Sequence, residues 1–158
     1  MPVLVAIAAA AFMSTVVMRM TDPVVAQLAA DFGVAPTEIA VFASAYALPY
    51  ALFQLVFGPL GDRFGKRRVI GFAVSGLSLT IVASALAPDY PSMVTVRFLS
   101  GMVGGGIIPL GLASVGDRTT LADRQVVLSR FMMATISGTI TGSFPTRIPA
   151  EFAPRRVG

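Results

Sequence analysis

Residues 58–70 read GPLGDRFGKRRVI, and this short basic stretch lies between two long apolar runs. The run before it, 39–57, carries no charge and contains Pro49, and the run after it, 69–87, carries no charge either. About 20 apolar residues cross the hydrocarbon core of a bilayer as a helix. The basic stretch is therefore interpreted as a loop between two transmembrane helices.

Further apolar runs continue outward on both sides of this loop. Residues 2–18 are uncharged, and the apolar character resumes after Arg19 and Asp22, whereas Arg97 precedes another uncharged run. The last run is weaker, because only fourteen uncharged residues separate Arg130 from Pro145. We predict transmembrane helices over about 3–30, 37–57, 69–87, 93–115 and 126–144, within a membrane region of residues 1–144.

The composition supports this class. Of 158 residues, 55% are hydrophobic and 13% charged, with a mean hydropathy of +0.79, whereas soluble domains carry about 25% charged residues. The chain has no Cys and no His, which excludes disulfides, serine–histidine hydrolases and the usual zinc sites. The sequence predicts an all-α integral membrane protein that is not an enzyme and has no cofactor or metal.

Loop charges predict the orientation. The segments 58–68 and 116–130 hold most of the basic residues. In the segments 30–38 and 88–92 every charged residue is acidic. Basic loops face the cytoplasm, so we expect a multi-pass protein of the inner (plasma) membrane with a cytoplasmic N-terminus. The net charge of +4 is interpreted as a topology signal and not as a nucleic-acid interface, because the basic residues separate apolar runs. A signal peptide is disfavoured, since no basic segment precedes the first run.

The tail 145–158 has a different composition, with three prolines and three arginines. If the last helix crossed the membrane, these arginines would lie outside, against the positive-inside rule. We expect an irregular tail of aberrant composition with no stable packed position. This pattern indicates a chain cut short, for example by a shifted reading frame.

The basic stretch also carries a motif. Its residues fit the pattern G-x-L-a-D-r-x-G-r-k-x-x-l in order, at Gly58, Leu60, Asp62, Arg63, Gly65, Lys66 and Arg67, with Gly61 at a position that is usually small. A second match, R-x-x-x-G-x-x-x-[GA], falls in VRFLSGMVGGGIIPLG at Arg97, Gly101 and Gly105. With these two motifs, residues 1–142 resemble the N-terminal part of the major facilitator superfamily.

This resemblance implies a helical bundle equal to the first four to five helices of a twelve-helix transporter. Such transporters have two six-helix halves built from inverted three-helix repeats. The family's exchanger motif would bring a Gly-Pro pair to the fifth helix, where this chain has Gly142 followed by Ser143. The departure weakens an antiporter assignment.

The resemblance also implies a gate at the loop. There Asp62 and Arg63 would latch the two halves on the cytoplasmic side, with the acid facing a helix of the second half. Without that half, we expect Asp62 to be idle or satisfied locally by Arg63 or Arg118. For Lys66, Arg67 and Arg68 the favoured alternative is a topology anchor at the anionic leaflet.

Two charges inside the predicted spans are candidates for a substrate or proton cavity. An ionisable residue in a span indicates a functional role, since its insertion into the membrane costs about 2.5–3.5 kcal/mol. Asp22 and Arg97 are expected to pair or to share a polar cavity, with Gln54 added from the second helix. The alternatives are an intrahelical pair of Asp22 with Arg19 and snorkelling of Arg97 to the interface.

Two sets of side chains in the spans have other roles. Gly101 and Gly105 have the spacing of close helix packing. An aromatic stripe recurs at helical spacing in the second helix and is interpreted as a hydrophobic cavity wall or a packing or lipid-facing stripe, at Phe42, Tyr46, Tyr50 and Phe53.

The sequence therefore predicts transport of a small solute by a truncated secondary transporter, in the form of proton-coupled efflux. Its partners would be the lipid bilayer, a small-molecule substrate and protons, together with either a homo-oligomer or the missing C-terminal half. The alternative is a small non-transporting membrane interaction protein, which would bind through its glycine faces, or a non-functional fragment.

Overall fold

The computed structural model describes residues 2–20, 22–24, 33 and 35–144. Within them the chain forms α-helices and no strand, with a short 3-10 turn at Asp22–Val24. The helices are α1 Pro2–Arg19, α2 Pro36–Phe64, α3 Lys66–Ala85, α4 Tyr90–Gly104, α5 Ile107–Arg118 and α6 Leu121–Ser143. Part of the predicted first helix, 25–30, and the predicted tail, 145–158, lie outside the described residues.

The first helix ends earlier than predicted. The predicted span 3–30 is helical as far as Arg19, and a 3-10 turn begins at Asp22. Pro23 explains the end, because it has no N–H to donate to the carbonyl of Arg19 and its ring collides with that carbonyl in a continuing helix. Asp22 therefore lies beyond α1 and not inside it.

The basic stretch 58–70 is mostly helical, which corrects its interpretation as a loop. The second helix continues past the predicted end at residue 57 to Phe64, and the third begins at Lys66 instead of residue 69. Only Gly65 separates them, with φ +89°, a backbone conformation that glycine adopts without steric cost. One residue thus reverses the chain between two antiparallel helices.

The predicted fourth helix, 93–115, is observed as two segments, α4 and α5, separated by one turn at Gly105 and Gly106. Pro109 has no N–H to donate to the carbonyl of Gly105 four residues earlier, so the helical hydrogen bonding fails there. Both glycines keep right-handed helical dihedrals. The two segments therefore act as one candidate membrane span of 29 residues, Tyr90–Arg118.

Two glycine-lined seams hold the bundle together. The most extensive contacts join α1 to α6 and α2 to α4. Directly after α4, a Cβ added to Gly105 would lie 2.5 Å from the carbonyl oxygen of Tyr50; on α6, one added to Gly142 would lie 2.7 Å from that of Val16. Such contacts require glycine. The seams thus bring helix backbones together without intervening side chains.

The core lies where α1 meets α3, α5 and α6. One cluster of buried residues joins these four helices near the basic turn, and a second lies deeper along α1 and α3. Their members are Ile7, Ala11, Val69, Ile70, Leu110, Val115 and Phe131 in the first, and Val17, Ala73, Leu77 and Ile107 in the second.

The outer surface is apolar. Leu55 is 76% exposed and Phe72 78%, as expected of side chains that face hydrocarbon. Three described helical stretches are long and apolar enough to cross a membrane, Ala40–Phe64, Lys66–Ala85 and Tyr90–Arg118, while Val3–Arg19 is apolar but shorter. The molecule is an all-α integral membrane protein, as the sequence predicts.

Candidate functional site

Arg97 is a buried cation about two turns from the start of the candidate membrane span formed by α4 and α5. Its side chain is 7% exposed. Nη1 donates to the carbonyl oxygen of Val17 at 3.0 Å, and Nη2 donates to that of Met18 at 3.0 Å. The guanidinium thus joins α4 to the last turn of α1, and it does not snorkel into the surroundings.

The end of α1 explains why these two carbonyls accept a side chain. The last carbonyls of a helix have no partner within it and carry its negative dipole end. Met20 N–H binds the carbonyl of Val16 at 2.8 Å, which leaves the next two carbonyls along the chain for Arg97. A fixed, planar cation with several donors suits such a pair of acceptors.

Two aromatic rings of α2 cover the same guanidinium. The Cζ atom of Arg97 lies 4.6 Å from the ring centre of Tyr46 and 5.6 Å from that of Phe42. Tyr46 stacks in turn on Tyr50, with ring centres 5.6 Å apart. Half of the predicted aromatic stripe is therefore a wall for Arg97, and cation–π attraction of about 2 kcal/mol is typical where the charge is desolvated.

Asp22 lies at the edge of this site and not within it. Its Oδ2 atom is 3.1 Å from Nη1 of Arg19, and the two side chains are 50% and 46% exposed. This is the local pair that the sequence offered as an alternative to a cavity role. The carboxylate also interacts electrostatically with Arg97, so one acid lies near two cations at the end of α1.

Gln54 is exposed on α2, two turns beyond Tyr46. It lies one turn after Tyr50, which stacks on Tyr46. A line of polar groups therefore runs along α2 from the ring beside Arg97 towards the basic turn. The structure does not gather Gln54 and Asp22 around one common point.

Two glycines of α4 explain how α2 comes so close to Arg97. A Cβ added to Gly101 would collide with the carbonyl oxygen of Tyr46, and one at Gly104 would lie 2.9 Å from the hydroxyl of Tyr46. Within the described residues that hydroxyl, which belongs to a side chain 3% exposed, has no hydrogen-bond partner. The glycine seam thus allows α2 to pack close enough for the ring of Tyr46 to contact the guanidinium of Arg97.

The basic turn forms a second candidate site at the other end of the bundle. A cleft of about 680 Å³ is lined by residues of the turn and of the end of α5, among them Gly61, Asp62, Gly65 and Asp117. Its one ion pair among the described residues joins Nζ of Lys66 to Oδ2 of Asp117 at 2.5 Å. Lys66 therefore ties α3 to α5, a contact that the anchor interpretation missed.

The predicted gate residues make few contacts in the described part of the chain. Asp62 is exposed and forms no ion pair there, with either Arg63 or Arg118. Arg63 lies over the ring of its neighbour Phe64, with Cζ 5.4 Å from the ring centre. Gly61 packs against Leu110, whereas a Cβ on Gly58 would meet nothing within 4 Å.

Sequence reasoning missed two of the residues that matter here. Asp117 was not singled out within the segment 116–130, although an acid on the same side of the membrane as a basic turn is a signal for an ion pair. Tyr46 was interpreted only as part of the aromatic stripe and not as a partner of Arg97. A buried arginine requires polar or aromatic neighbours, and this was the available signal. In the described residues no group of His, Cys, Asp and Glu could hold a metal ion.

Comparison with known proteins identifies the family. The model of the Major Facilitator Superfamily matches residues 7–145. The chain is 31% identical over 134 residues to the efflux pump radE of Floropilus chiversii, covering 83% of this chain and 24% of that protein. It is 32% identical over 112 residues to the MFS-type transporter penM of Penicillium rubens, covering 70% and 22%.

A bacterial relative matches over a longer stretch. The uncharacterized MFS-type transporter YybF of Bacillus subtilis is 21% identical over 144 residues, covering 91% of this chain and 36% of that protein. The chain thus spans little more than a third, or less, of the length of these relatives. The match covers the basic turn, Arg97 and both glycine seams, and on this basis the chain belongs to the major facilitator superfamily.

Proposed function

We propose that this chain forms the first part of the solute pathway of a proton-coupled efflux transporter of the major facilitator superfamily. Its substrate would be a small organic molecule moved by alternating access. The family and the transporter names of its relatives support transport, and one relative is named an efflux pump. Because the relatives are about two and a half times as long as this chain or longer, the remaining helices of the pathway would come from outside these 158 residues, either from further copies of the chain or from a C-terminal half.

The burial of Arg97 is the observation that carries the proposal. A cation placed in an apolar span costs about 2.5–3.5 kcal/mol on insertion scales, and such residues mark substrate or proton pathways by default. Here Arg97 joins α1, α2 and α4 at one point, through two carbonyls and two rings. A change in its bonding would therefore move three helices at once, as a transport cycle requires.

Asp22 is the proton site in this proposal. Its half-exposed carboxylate can exchange protons with water, and it lies close enough to Arg97 to interact electrostatically. Protonation would remove the attraction to Arg19 and to Arg97 together. The freed end of α1 could then shift. This would couple proton binding to the helix whose carbonyls, at Val17 and Met18, hold Arg97.

The basic turn is the cytoplasmic gate in this proposal. Asp62 is exposed and makes no ion pair with described residues, so it is available to a helix dipole or cation of another part of the transporter. Lys66 is already tied to Asp117, which fixes the turn on α5 while Asp62 and Arg63 engage a partner. By the positive-inside rule this end, with the N-terminus of α1, faces the cytoplasm.

The interaction-protein alternative loses its main support. It relied on glycine faces that would be free to bind another helix. The structure packs Gly101 and Gly105 on α2, and Gly138 and Gly142 on α1. These surfaces are occupied inside the chain, so a partner helix would have to use other residues.

Flux through sealed proteoliposomes tests the proposal. The chain would be reconstituted with a proton gradient and a panel of fluorescent efflux substrates, and insertion would be checked by protease protection. We expect gradient-dependent flux that is lost in Asp22→Asn. The matched control is Asp89→Asn, an exposed acid near the same end of the bundle, which should transport as the unmodified chain does. Well-inserted protein without any flux would contradict transport by assembled copies of this chain.

A further inference from the structure

Two hydroxyl groups are buried inside the chain with no hydrogen-bond partner among the described residues. They are Oγ of Ser14 on α1 and the hydroxyl oxygen of Tyr46 on α2, and the two residues are 1% and 3% exposed. Buried Ser100, by contrast, donates to the carbonyl of Val96 at 2.8 Å. Buried polar side-chain atoms in proteins are nearly always bonded to a protein group or to an ordered water. These two hydroxyls therefore require an explanation.

Contacts on either side place the two hydroxyls at the same level of the bundle. The hydroxyl of Tyr46 would lie 2.9 Å from a Cβ added to Gly104. On α1, Ile7 packs against Gly111 of α5, with its Cγ2 atom 3.2 Å from an added Cβ. Ser14 follows Ile7 by seven residues and Gly104 precedes Gly111 by seven, which is about two turns along one face of each helix. Because α1 runs antiparallel to α4 and α5, Ser14 lies opposite Gly104, at the level of the Tyr46 hydroxyl.

A main-chain acceptor is also open at this level, because the helix is interrupted there. Pro109 has no N–H, so the carbonyl of Gly105 lacks the donor that a continuous helix would supply. The backbone hydrogen bonds that flank the break between α4 and α5 leave this carbonyl unused. The break lies at the middle of the candidate span Tyr90–Arg118, where the hydrocarbon outside the bundle offers no hydrogen-bond partner. Unsatisfied polar groups are therefore most costly at this depth.

We propose that a buried water molecule binds at this level and bridges the hydroxyls of Ser14 and Tyr46 to the carbonyl of Gly105. The two hydroxyls donate to the water oxygen, and the water donates to the carbonyl. A buried water in a protein makes about three hydrogen bonds to polar groups that are otherwise unsatisfied, and these three groups supply that number. A direct bond between the two hydroxyls is not formed, since neither has a partner in the described part of the chain.

The site is enclosed by this chain and is not an open surface. Ser14 and Tyr46 are buried by the helices of this chain alone. Ile107, directly after the break, is 0% exposed and belongs to the second core cluster. Further helices packed around the bundle would therefore leave the two hydroxyls as they are. The water extends the polar groups around Arg97 to the middle of the membrane, and its binding does not depend on transport.

Infrared difference spectroscopy detects such a water in the full chain reconstituted in bilayers. Spectra would be recorded in ordinary water and in oxygen-18 water, since only vibrations of water itself shift with this isotope. An enclosed water gives a narrow O–H stretching band that is separate from the broad band of bulk water. We expect a narrow, isotope-shifted band that is lost in Ser14→Ala and in Tyr46→Phe. A band that persists in both folded variants, or no such band in the unmodified chain, would overturn the proposal.

Matched variants show whether a lost band reports this site. Ser100→Ala removes a buried serine hydroxyl that is bonded within its own helix, and Tyr50→Phe removes the hydroxyl of the ring stacked on Tyr46. Both should retain the band. Circular dichroism and elution volume check that each variant is folded, and Tyr46→Phe keeps the ring that covers Arg97. Loss of the band in the two control variants as well would contradict a water held by Ser14 and Tyr46.

The sign of the stability change gives an independent test. Removing a hydroxyl that is bonded to the water should lower the folding equilibrium constant about fivefold in Ser14→Ala and in Tyr46→Phe, whereas removing an unsatisfied hydroxyl should raise it. The double variant should lose less than the product of the two single effects, because both hydroxyls hold one water. Equal or higher stability in both single variants would overturn the site. Coupled losses without an isotope-shifted band would indicate a direct bond between the hydroxyls and would also overturn it.

Discussion

At the end of the bundle where α3 begins, Arg63, Lys66, Arg67 and Arg68 lie within six residues, and three of the four are exposed. Towards the other end a buried cation, Arg97, is 7% exposed and is held by two carbonyls and two rings. The first arrangement exchanges partners with solvent and lipid at little cost. The second requires three helices to be in place before the charge is satisfied.

The difference lies in the solvation of the charge. Exposed ion pairs contribute about 0–1 kcal/mol, because water competes for both partners. A buried charge that loses its partners is left unsatisfied at a cost of several kcal/mol. The basic turn is thus suited to reversible contacts, whereas the Arg97 site links its helices. The following changes are ordered by the size of the effect we expect.

The seam beside Arg97 should be the most sensitive position. Gly101→Leu would push a side chain into the carbonyl of Tyr46 and against Pro49, whose Cγ atom would be 2.9 Å from the new Cβ. We expect a loss of about 3 kcal/mol or more in the free energy of unfolding, since the clash involves backbone. Gly58→Leu, where an added Cβ meets nothing within 4 Å, is the control. Equal stability of the two variants in a denaturation series would contradict the expected difference between the seam glycine and Gly58.

Removing the hydrogen bonds between Arg97 and the end of α1 should have the next largest effect. Arg97→Met keeps much of the side-chain volume but leaves the carbonyls of Val17 and Met18 without a donor. The lost hydrogen bonds to a charge are partly offset by relief from burying it, so we expect a net loss of about 1–3 kcal/mol. Arg130→Met, at an exposed arginine of α6, should change stability by less than about 0.5 kcal/mol. Thermal unfolding of both variants measures the contrast.

The ion pair at the basic turn should contribute much less. A double-mutant cycle with Lys66→Gln and Asp117→Asn should give a coupling of about 0.5–1 kcal/mol, because the Asp117 side chain is 58% exposed and water screens the pair. High salt should reduce this coupling further. A coupling above about 2 kcal/mol would show that this end is as strongly bonded as the Arg97 site.

The smallest effect should come from the cap of α4. Asp89 accepts a hydrogen bond from the backbone N–H of Ser92 at 2.9 Å, and its bonds from Ser92 lower the pKa of the carboxyl from its ordinary 3.8. Its contribution is therefore present above pH 3.8 and lost as the pH falls through the lowered value. Asp89→Ala should melt slightly lower at neutral pH and equal the unmodified chain at strongly acid pH. A difference that grows on acidification would contradict this sign.

The second, third and fourth predicted spans overlap helical stretches that are long and apolar enough to cross a membrane, but the ends of these stretches differ from the prediction. Apolar runs identify a span because nearly all of the side chains in a helix that crosses hydrocarbon are apolar, whatever their neighbours in the fold are. The ends depend on local chemistry that a run does not show. Pro23 ends α1 inside the predicted first helix, 3–30, and Gly65 alone makes the turn between the predicted helices 37–57 and 69–87.

The partners of the site residues could not be predicted in the same way. Arg97 was singled out because a charge in a span is unusual, but its acceptors lie on α1, 80 and 79 residues away in sequence. They are backbone groups, which every residue carries, so no residue type marks them. The pair of Lys66 with Asp117 is separated by 51 residues and depends on how α3 meets α5. The pairing of Asp22 with Arg19 is local, and the sequence offered it as an alternative.

The most direct test of the account measures stability and flux together in Arg97→Lys. Lysine keeps the positive charge but lacks the planar fork that reaches two carbonyls. The account predicts a folded protein, destabilised by about 1 kcal/mol, whose gradient-dependent flux falls by at least about tenfold, more than that loss of stability explains. Wild-type flux in folded Arg97→Lys protein, or a loss of flux that only follows unfolding, would contradict a role for Arg97 in the transport pathway.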